Sequence, residues 1–251
     1  MAHCLSVDKP YLYTHDEHPL TERHMRCLEE GVWDRISGVP LQYIVGRQEF
    51  YGRYFSVNPS VLIPRPETEL VVERVLALQP AAGSRIIDVG AGSGCIGITL
   101  ALELPLTRVI LTDVSFEALQ TARGNARQLG ADTPILCMDL LDAASGPFDF
   151  IVSNPPYVSY AETSQLQREV REHEPHVALF AGDDGLAPYR RLIPSAEQTL
   201  RPGGYLTMEI GFGMESRALG LFDERWEKLP TGADLQGIPR IVCARLKSGP
   251  D

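Results

Sequence analysis

The fold is decided by one stretch, Arg85-Ile86-Ile87-Asp88-Val89-Gly90-Ala91-Gly92-Ser93-Gly94. Its apolar first half predicts a buried strand. The glycines that follow predict a loop whose backbone can adopt positive φ and approach a ligand closely. Residues 95–104 predict the helix after this loop. A strand, a glycine loop and a helix in this order are typical of nucleotide sites in α/β proteins.

The chain beyond this unit alternates predicted strands and helices. Strands are expected at residues 108–113, 135–138, 148–153, 205–210 and 241–245. Ser115 is expected to cap a helix that runs to about Leu129. Pro188 and Pro194 predict that the helix within 186–200 is broken or starts late. Residues 159–184 are a long polar stretch, and residues 201–204 predict a turn. The alternation predicts an α/β fold with a parallel, doubly wound sheet and right-handed crossovers.

The N-terminal part of the chain predicts a smaller region. A helix is expected from Leu20 to Glu30, with Thr21 as its N-cap and Gly31 as its stop. Aromatic residues on both sides of Gly52 predict a β-hairpin.

Residues 64–69, Pro-Arg-Pro-Glu-Thr-Glu, predict the entry to a further helix. Pro66 fits the first turn of that helix, whose apolar stripe is Leu70, Val71, Val75 and Leu78. Two interpretations are equally open here. The segment is either a capped helix start whose acids favour the helix dipole, or a polar lip over a pocket.

Composition restricts the class of protein. The chain has 251 residues, 44% hydrophobic and 22% charged, which suits one substantial globular α/β domain with a small appendage. No run approaches the roughly 18 apolar residues of a membrane span, and no signal peptide is evident, so no membrane partner is expected.

The formal net charge of -10 argues against a dedicated DNA binder. Five widely spaced cysteines predict neither a disulfide framework nor a zinc site, and suit the reducing cytoplasm.

Three successive predicted strands end on aspartate, at Asp88, Asp113 and Asp139. Asp113 follows the glycine loop by roughly 20 residues, where an acid is well placed to hold the ribose hydroxyls of an adenosine cofactor. Asp139 and its neighbour Leu140 suit the adenine edge, as one polar contact and one apolar wall. Each acid alone is as readily a loop aspartate that caps the next turn, but three together favour a ligand site. Gly97 could complete a dinucleotide pattern, so the loop alone leaves a nicotinamide enzyme open.

A rigid tetrapeptide, Asn154-Pro155-Pro156-Tyr157, follows the strand at 148–153. Proline lacks the N–H that a strand ladder needs, so the strand must end there, where open α/β sheets bind their ligands. The Asn154 side-chain carbonyl and the Pro155 main-chain carbonyl can together accept two hydrogen bonds from one –NH2 group. Tyr157 adds an aromatic wall. A bare Asn-Pro is usually no more than a strand end and a loop, but the full tetrapeptide downstream of a glycine loop favours a functional site.

These stretches together resemble the class I S-adenosylmethionine-dependent methyltransferases, and more narrowly the peptide chain release factor glutamine N5-methyltransferases. The resemblance runs from about Pro40 to Arg245. Besides the glycine loop and the tetrapeptide, it rests on residues 40–44, 49–52, 61–69, 172–175, 178–180, 182–186 and 209–211. The Asn-Pro-Pro-Tyr motif is shared with adenine N6 DNA methyltransferases, whereas residues 65–69 and 172–175 are more particular to the release factor enzymes.

The resemblance implies a Rossmann-like fold in three parts. These are a small helical, substrate-docking region at 1–42, a hairpin linker at 43–64 and an S-adenosylmethionine-dependent methyltransferase domain at 65–251 with an antiparallel last strand. The family usually has a longer N-terminal domain. We therefore expect that this region is shortened or that the start codon is misassigned.

The resemblance also implies the site residues and the substrate. S-adenosylmethionine would contact Gly90, Ala91, Gly92, Ser93, Gly94, Asp113, Leu140 and Asn154. The substrate amide would be held by Asn154, Pro155, Pro156 and Tyr157, with Asn154, Pro155 and Tyr157 as the catalytic residues. The implied substrate is a class I peptide chain release factor, methylated on the glutamine of its Gly-Gly-Gln loop, which would place the enzyme in translation termination.

Three other functions are weighed against this one. An adenine N6 DNA methyltransferase would use the same tetrapeptide on a flipped base, but it predicts a basic surface or a DNA-recognition domain. A non-catalytic cofactor-binding scaffold would not need the tetrapeptide. A nicotinamide oxidoreductase is disfavoured by the prolines and by the lack of an obvious hydride-transfer acid. His173 and His176 match no zinc motif and are expected to cap the surface.

Overall fold

A computed structural model describes residues 1–248. Its α-helices are α1 (Ala2–Leu5), α2 (Lys9–Thr14), α3 (Glu22–Ile36), α4 (Leu41–Val45), α5 (Glu69–Ala77), α6 (Cys95–Glu103), α7 (Phe116–Leu129), α8 (Arg168–His173), α9 (Ala187–Thr199) and α10 (Glu215–Leu219). Its strands are β1 (Arg47–Phe50), β2 (Arg53–Ser56), β3 (Arg85–Val89), β4 (Arg108–Asp113), β5 (Ile135–Cys137), β6 (Phe148–Ser153), β7 (Leu200–Glu209), β8 (Trp226–Lys228), β9 (Gly232–Ala233) and β10 (Pro239–Leu246). Short 3-10 turns lie at Pro66–Thr68, Tyr160–Gln165 and His176–Ala178.

The large sheet has the strand order β5-β4-β3-β6-β7-β10-β8, and β9 pairs with β10 as well. Strands β3 to β7 run parallel to their neighbours, whereas β10 is antiparallel to β7, β8 and β9. This confirms the predicted α/β class, with a mainly parallel sheet and an antiparallel last strand. The carboxyl ends of β5, β4, β3 and β6 meet at one edge, so the residues that follow them lie side by side.

Two apolar cores cover the two faces of this sheet. One includes Tyr189 and Leu192 of α9, and the other includes Val71 and Val75 of α5 together with Ile98 of α6. Burial of a large apolar side chain stabilises a fold by about 1.5–3 kcal/mol, so the doubly covered strands form the rigid part of the protein. Strands β3 and β6 end in this rigid part, directly before the glycine loop and the tetrapeptide.

Helix α3 is longer than predicted. Thr21 accepts a hydrogen bond from the His24 N–H and caps the helix as expected, but Gly31 does not end it. A Cβ atom at Gly31 would lie 3.3 Å from Ile44 Cγ2, which shows that this glycine allows α4 to pack closely on α3. The prediction that Gly31 is a stop was wrong because the glycine serves packing between helices. None of the helices within residues 1–248 has the length and apolar character needed to span a membrane.

Helix α9 runs unbroken from Ala187 to Thr199, so the predicted break was wrong. Pro188 lies in the first turn, where a missing N–H costs nothing. Pro194 is inside the helix on its exposed side, while Leu192, Ile193 and Ala196 are buried on the other side. Tertiary packing of these apolar side chains therefore outweighs the hydrogen bond that Pro194 removes.

One further stretch differs from the predictions, and the long polar stretch contains regular structure. The polar stretch at 159–184 contains α8 and two 3-10 turns. The predicted turn at 201–204 is instead part of β7, which begins at Leu200 and shows an irregular register against β6 between Phe148 and Phe150. Residues 249–251 of the predicted last domain lie outside the described residues.

Candidate active site

Two cavities lie at the carboxyl edge of the sheet. The large one has a volume of about 420 Å³ and the small one about 300 Å³. The large cavity is lined by residues from the ends of β3, β4, β5 and β6, whereas the small cavity is lined mainly by residues 157–179. Leu62, Asn154 and Ala178 line both cavities. Of these three residues, Asn154 has the polar side chain. A polar side-chain contact where the two cavities meet is therefore made by Asn154.

The glycine loop forms one wall of the large cavity. Gly90, Ala91, Gly92 and Ser93 line it. Gly90 and Gly92 have φ values of 73° and 56°, which favour glycine, and an added Cβ at either would meet no protein atom within 4 Å. The loop backbone is therefore open to close approach by a ligand. Gly94 does not line the cavity, because it is the N-cap of α6 and packs against Ile98.

Asp113 closes β4 and lines the large cavity beside the loop. Its Oδ2 accepts the Gly92 N–H at 2.9 Å, and its Oδ1 accepts the Ser115 N–H at 2.8 Å. Both carboxylate oxygens keep lone pairs for a ligand, since each can accept two hydrogen bonds. Burial raises the pKa of Asp113, although the backbone N–H donors oppose that shift. The arrangement suits a pair of vicinal hydroxyls.

Asp88 and Asp139, the other two strand-end acids, have different places. Asp139 lines the large cavity together with Leu140. Asp88 is fully buried and faces the sheet–helix contact instead, where its Oδ2 accepts the Gly97 N–H at 2.8 Å. A Cβ at Gly97 would lie 2.9 Å from that oxygen, so Gly97 serves the close packing of α6 on β3.

A hydrogen-bond chain fixes the side chain of Asn154. The Asn154 Nδ2 donates to Thr68 Oγ1 at 3.1 Å, and the Thr68 hydroxyl donates to Glu209 Oε2 at 2.6 Å. When Glu209 is ionised, the single hydroxyl proton of Thr68 goes to the carboxylate, and the Thr68 oxygen can only accept from Asn154. The amide of Asn154 is thereby oriented with its nitrogen toward Thr68, and its Oδ1 remains an acceptor for a ligand.

Glu209, at the end of this chain, is almost completely buried at the end of β7. Burial raises the pKa of Glu209 to about 7, and the Thr68 hydrogen bond partly opposes that shift. Ionised Glu209 must accept from Thr68, whereas protonated Glu209 can donate to it and release the Thr68 proton for Asn154. The orientation of Asn154 therefore depends on the charge of Glu209.

Tyr157 is held by two glycines from distant motifs. A Cβ at Gly185 would lie 2.4 Å from the Tyr157 carbonyl oxygen, and a Cβ at Gly211 would lie 2.8 Å from Tyr157 Cδ2. The tight fit gives a physical reason for glycine at both positions. Burial raises the pKa of the Tyr157 phenol, which therefore stays neutral and does not act as a base near neutral pH. Pro155 is buried, while Pro156 lines the large cavity.

An ion pair supports the wall of the small cavity. The Arg65 guanidinium pairs with Glu174, whose side chain is 1% exposed. Glu174 Oε2 also accepts the Ile63 N–H at 3.3 Å. This buried carboxylate ties the segment at 62–66 to the end of α8. Arg65 itself lines the small cavity and is the charged side chain among its lining residues.

The sequence alone assigns no role to Thr68, Glu174 or Glu209. Pro64 and Thr68 line the large cavity, as the interpretation of a polar lip predicted. The turn Pro66–Thr68 precedes α5 and acids lie in the first turns, but no side chain among the described residues caps either start, so the predicted cap was wrong. An acid at the end of an apolar strand, as in Leu206-Thr207-Met208-Glu209, was the available signal for Glu209. The His176 Nε2 pairs with the Arg171 carbonyl at 3.1 Å. Within residues 1–248, no group of three or more His, Cys, Asp or Glu side chains is arranged to hold a metal ion.

Comparison with known proteins gives close relatives along most of the chain. A release factor glutamine methyltransferase from Koribacter versatilis is 45% identical over 244 residues, which cover 96% of this chain and 87% of the relative. A second one, from Geobacter sulfurreducens, is 40% identical over 248 residues, which cover 98% of this chain and 87% of the relative. The chain belongs to the release factor glutamine methyltransferase family. It is therefore a methyltransferase, as the resemblance implied.

Family models and a solved structure agree with this membership. Residues 67–174 match the methyltransferase small domain, and residues 1–46 match the PrmC N-terminal domain. A methyltransferase from Pyrococcus furiosus has the same fold, with a TM-score of 0.58 and 16% identity, over 91% of this chain and 100% of that protein. The large cavity of this family member lies beside the glycine loop, and the small cavity lies beside the tetrapeptide.

Proposed function

We propose that the protein transfers the methyl group of S-adenosylmethionine to the side-chain amide nitrogen of a glutamine in a peptide chain release factor. One observation carries the proposal. Asn154 lines both cavities, and its amide is oriented through Thr68 so that Oδ1 is the free acceptor. A cofactor in the large cavity and a glutamine in the small one would meet at this side chain.

The large cavity fits S-adenosylmethionine. Its volume of about 420 Å³ lies within the range of small-molecule sites. Gly90 to Ser93 would face the amino-acid part of the cofactor with open backbone, and Asp113 would accept from its ribose hydroxyls. Asp139 and Leu140 would lie at the adenine, and Asn154 would lie at the methyl end. Gly94 supports the loop through its packing on α6.

The small cavity would hold the glutamine side chain. An amide nitrogen is a poor nucleophile, because its lone pair is delocalised into the carbonyl. The Asn154 Oδ1 and the Pro155 carbonyl would accept the two amide hydrogens, which keeps electron density on nitrogen and fixes its direction. S-adenosylmethionine, when bound, supplies a methyl group on a positively charged sulfur. Fixed alignment of two reactants can lower a barrier by several kcal/mol.

Tyr157 would form a wall of the small cavity, and Pro156 would lie beside it on the large cavity. The Tyr157 ring, held by Gly185 and Gly211, would pack against the plane of the substrate amide. No general base is required of the chain, because the nitrogen can release one of its two protons after it has gained the methyl group. Neutral Tyr157 suits this role as a wall.

Partners and setting follow from the same proposal. Relatives named release factor glutamine methyltransferase support a release factor as substrate. We propose a class I release factor, modified on the glutamine of its Gly-Gly-Gln loop, as the resemblance implies. Residues 1–42 would dock that protein, residues 43–64 would link the parts, and residues 65–251 would carry catalysis. We expect no stable binding of nucleic acid and no membrane partner. We propose a cytoplasmic setting, because widely spaced cysteines suit a reducing compartment.

Intact-mass analysis tests the proposal. The protein is incubated with isotope-labelled S-adenosylmethionine and, in parallel, with a class I release factor or with adenine-containing duplex DNA. We expect one labelled methyl group per release factor, on a glutamine amide, and no label on DNA. Label on DNA with none on the release factor would establish the adenine N6 alternative instead.

A further inference from the structure

Helix α9 turns one side of its first two turns toward the large cavity. Ala187, Pro188 and Arg191 line that cavity, whereas Tyr189 and Leu192 are buried in the core. Ala187 and Arg191 are four residues apart and therefore share a helix face. The burial of Tyr189 and Leu192 fixes the rotation of α9, so the position of Arg191 at the cavity is set by the core.

Arg191 reaches across the cavity rim to the acid at the end of β5. Its Nη2 donates to Asp139 Oδ2 at 2.7 Å. Nothing else among residues 1–248 donates to the side chain of Asp139, so Oδ1 is free to accept from a ligand. The next residue, Leu140, has a φ of 48°, a left-handed conformation that is uncommon for leucine and is found mainly where a site requires it.

The ion pair is poorly suited to a purely stabilising role. The Arg191 and Asp139 side chains are 55% and 45% exposed. Ion pairs between exposed side chains contribute about 0–1 kcal/mol to folding. Its location on the cavity wall, by contrast, gives it a direct effect on any ligand that reaches Asp139.

We propose that Arg191 is a positioning residue that selects adenine at the cofactor site by orienting Asp139. This inference rests on the proposed function, which places the adenine beside Asp139 and Leu140. With Oδ2 held by Arg191, the carboxylate has one fixed rotamer and presents Oδ1 to the exocyclic amino group of adenine, which is a donor. A purine with a carbonyl in that place would bring its acceptor oxygen next to the acceptor Oδ1. No hydrogen bond could form, and the affinity would be lower.

Arg190 provides a matched control. It is the adjacent arginine on the same helix and pairs with Asp184, and it does not line either cavity. Arg190→Ala removes the same side chain and an exposed ion pair of the same kind. Any general effect of losing an arginine from α9 should therefore appear in both variants.

Calorimetric titration of two product analogues tests the inference. S-adenosylhomocysteine and S-inosylhomocysteine are titrated into the wild-type protein, Arg191→Ala and Arg190→Ala, with thermal melting of each. We expect Arg191→Ala to lose about tenfold in affinity for the adenosyl compound, the scale of one hydrogen bond to a charged group, and little for the inosyl compound. Arg190→Ala should keep both affinities. Asp139→Asn should reduce the adenosyl preference as well, and the double variant should lose little more.

Two results would overturn the inference. If Arg191→Ala keeps the wild-type preference for the adenosyl compound, or lowers the affinity for both compounds by the same factor, Arg191 does not act through Asp139. The proposed function would stand in that case, because wild-type and Arg190→Ala proteins would still bind S-adenosylhomocysteine. Failure of the wild-type protein to bind that compound would overturn both proposals.

Discussion

The two cavities meet at Asn154, but they are built differently. One wall of the large cavity is backbone at the ends of buried parallel strands, and its acid Asp113 is held by the nearby N–H groups of Gly92 and Ser115. The small cavity is bounded by residues 157–179, whose shape depends on distant side chains, above all the Arg65–Glu174 pair. Local sequence thus creates the glycine-loop wall of the large cavity, while the long-range pair of Arg65 with Glu174 supports the small cavity. Changes on either side should be separable in kinetics, and changes at Asn154 should affect both.

Asn154→Ala should have the largest effect. It removes the acceptor that both cavities share, so kcat should fall on the order of a thousandfold, as for loss of a positioned transition-state contact. Cofactor affinity should weaken far less, because the loop and Asp113 remain. Methyl-transfer assays on a release factor beside calorimetric cofactor titration measure the two effects, and near-normal turnover would refute the role of Asn154.

Asp113→Ala should affect the large cavity alone. Loss of hydrogen bonds from a carboxylate to two hydroxyls should weaken cofactor affinity by about a hundredfold. The KM for the release factor at saturating cofactor should change little. Cofactor affinity equal to that of the wild type would remove Asp113 from the ribose site.

Thr68→Val should show whether the hydrogen bond that orients Asn154, where the two cavities meet, matters for catalysis. Valine has the shape of threonine but no hydroxyl, so the amide of Asn154 loses the partner that orients it. We expect kcat to fall about tenfold or more, with both binding steps nearly unchanged. Rate measurements across pH should also show wild-type kcat rising as pH passes through about 7 and Glu209 ionises, a rise that Thr68→Val should lack. A variant with the wild-type pH profile would contradict the hydrogen-bond chain.

Arg65→Ala should affect the small cavity alone. The pair with buried Glu174 ties the wall of the small cavity to α8, so its loss should raise the KM for the release factor by about tenfold. The affinity for S-adenosylhomocysteine should remain that of the wild type. If Arg65→Ala lowered the affinity for the release factor and for S-adenosylhomocysteine equally, the two cavities would not be independent.

Asp88→Asn should have the smallest effect and concerns stability. Burial raises the pKa of Asp88 to about 7 from an ordinary value of 3.8, so the folded protein binds a proton that the unfolded chain has released. The stability from this group is present at low pH and is lost as pH rises through about 7. Between pH 6 and 8 the loss should be about 1 kcal/mol. Denaturant unfolding of Asp88→Asn should show a flatter pH dependence, and an unchanged one would show that Asp88 is already ionised at pH 6.

The sequence predicted local elements better than long-range contacts, for a physical reason. The strand at 148–153, the glycine loop and the Ser115 cap depend on neighbouring residues, and each lies where it was predicted. Gly31 and Pro194 gave wrong predictions of a helix end and a helix break. Packing of α3 on α4 and of α9 on the sheet outweighed the low helix propensity of these residues. The contacts of Glu209 with Thr68 and of Glu174 with Arg65 join residues more than 100 positions apart. No local pattern encodes such pairings.

The decisive experiment is a crystal structure of the protein with S-adenosylhomocysteine and a glutamine-containing release factor peptide. We predict that the peptide glutamine occupies the small cavity, with its amide nitrogen within hydrogen-bond distance of Asn154 Oδ1 and the Pro155 carbonyl and facing the cofactor sulfur. An Asn154 side chain turned so that Nδ2 faces the substrate, or a glutamine bound away from both oxygens, would contradict it.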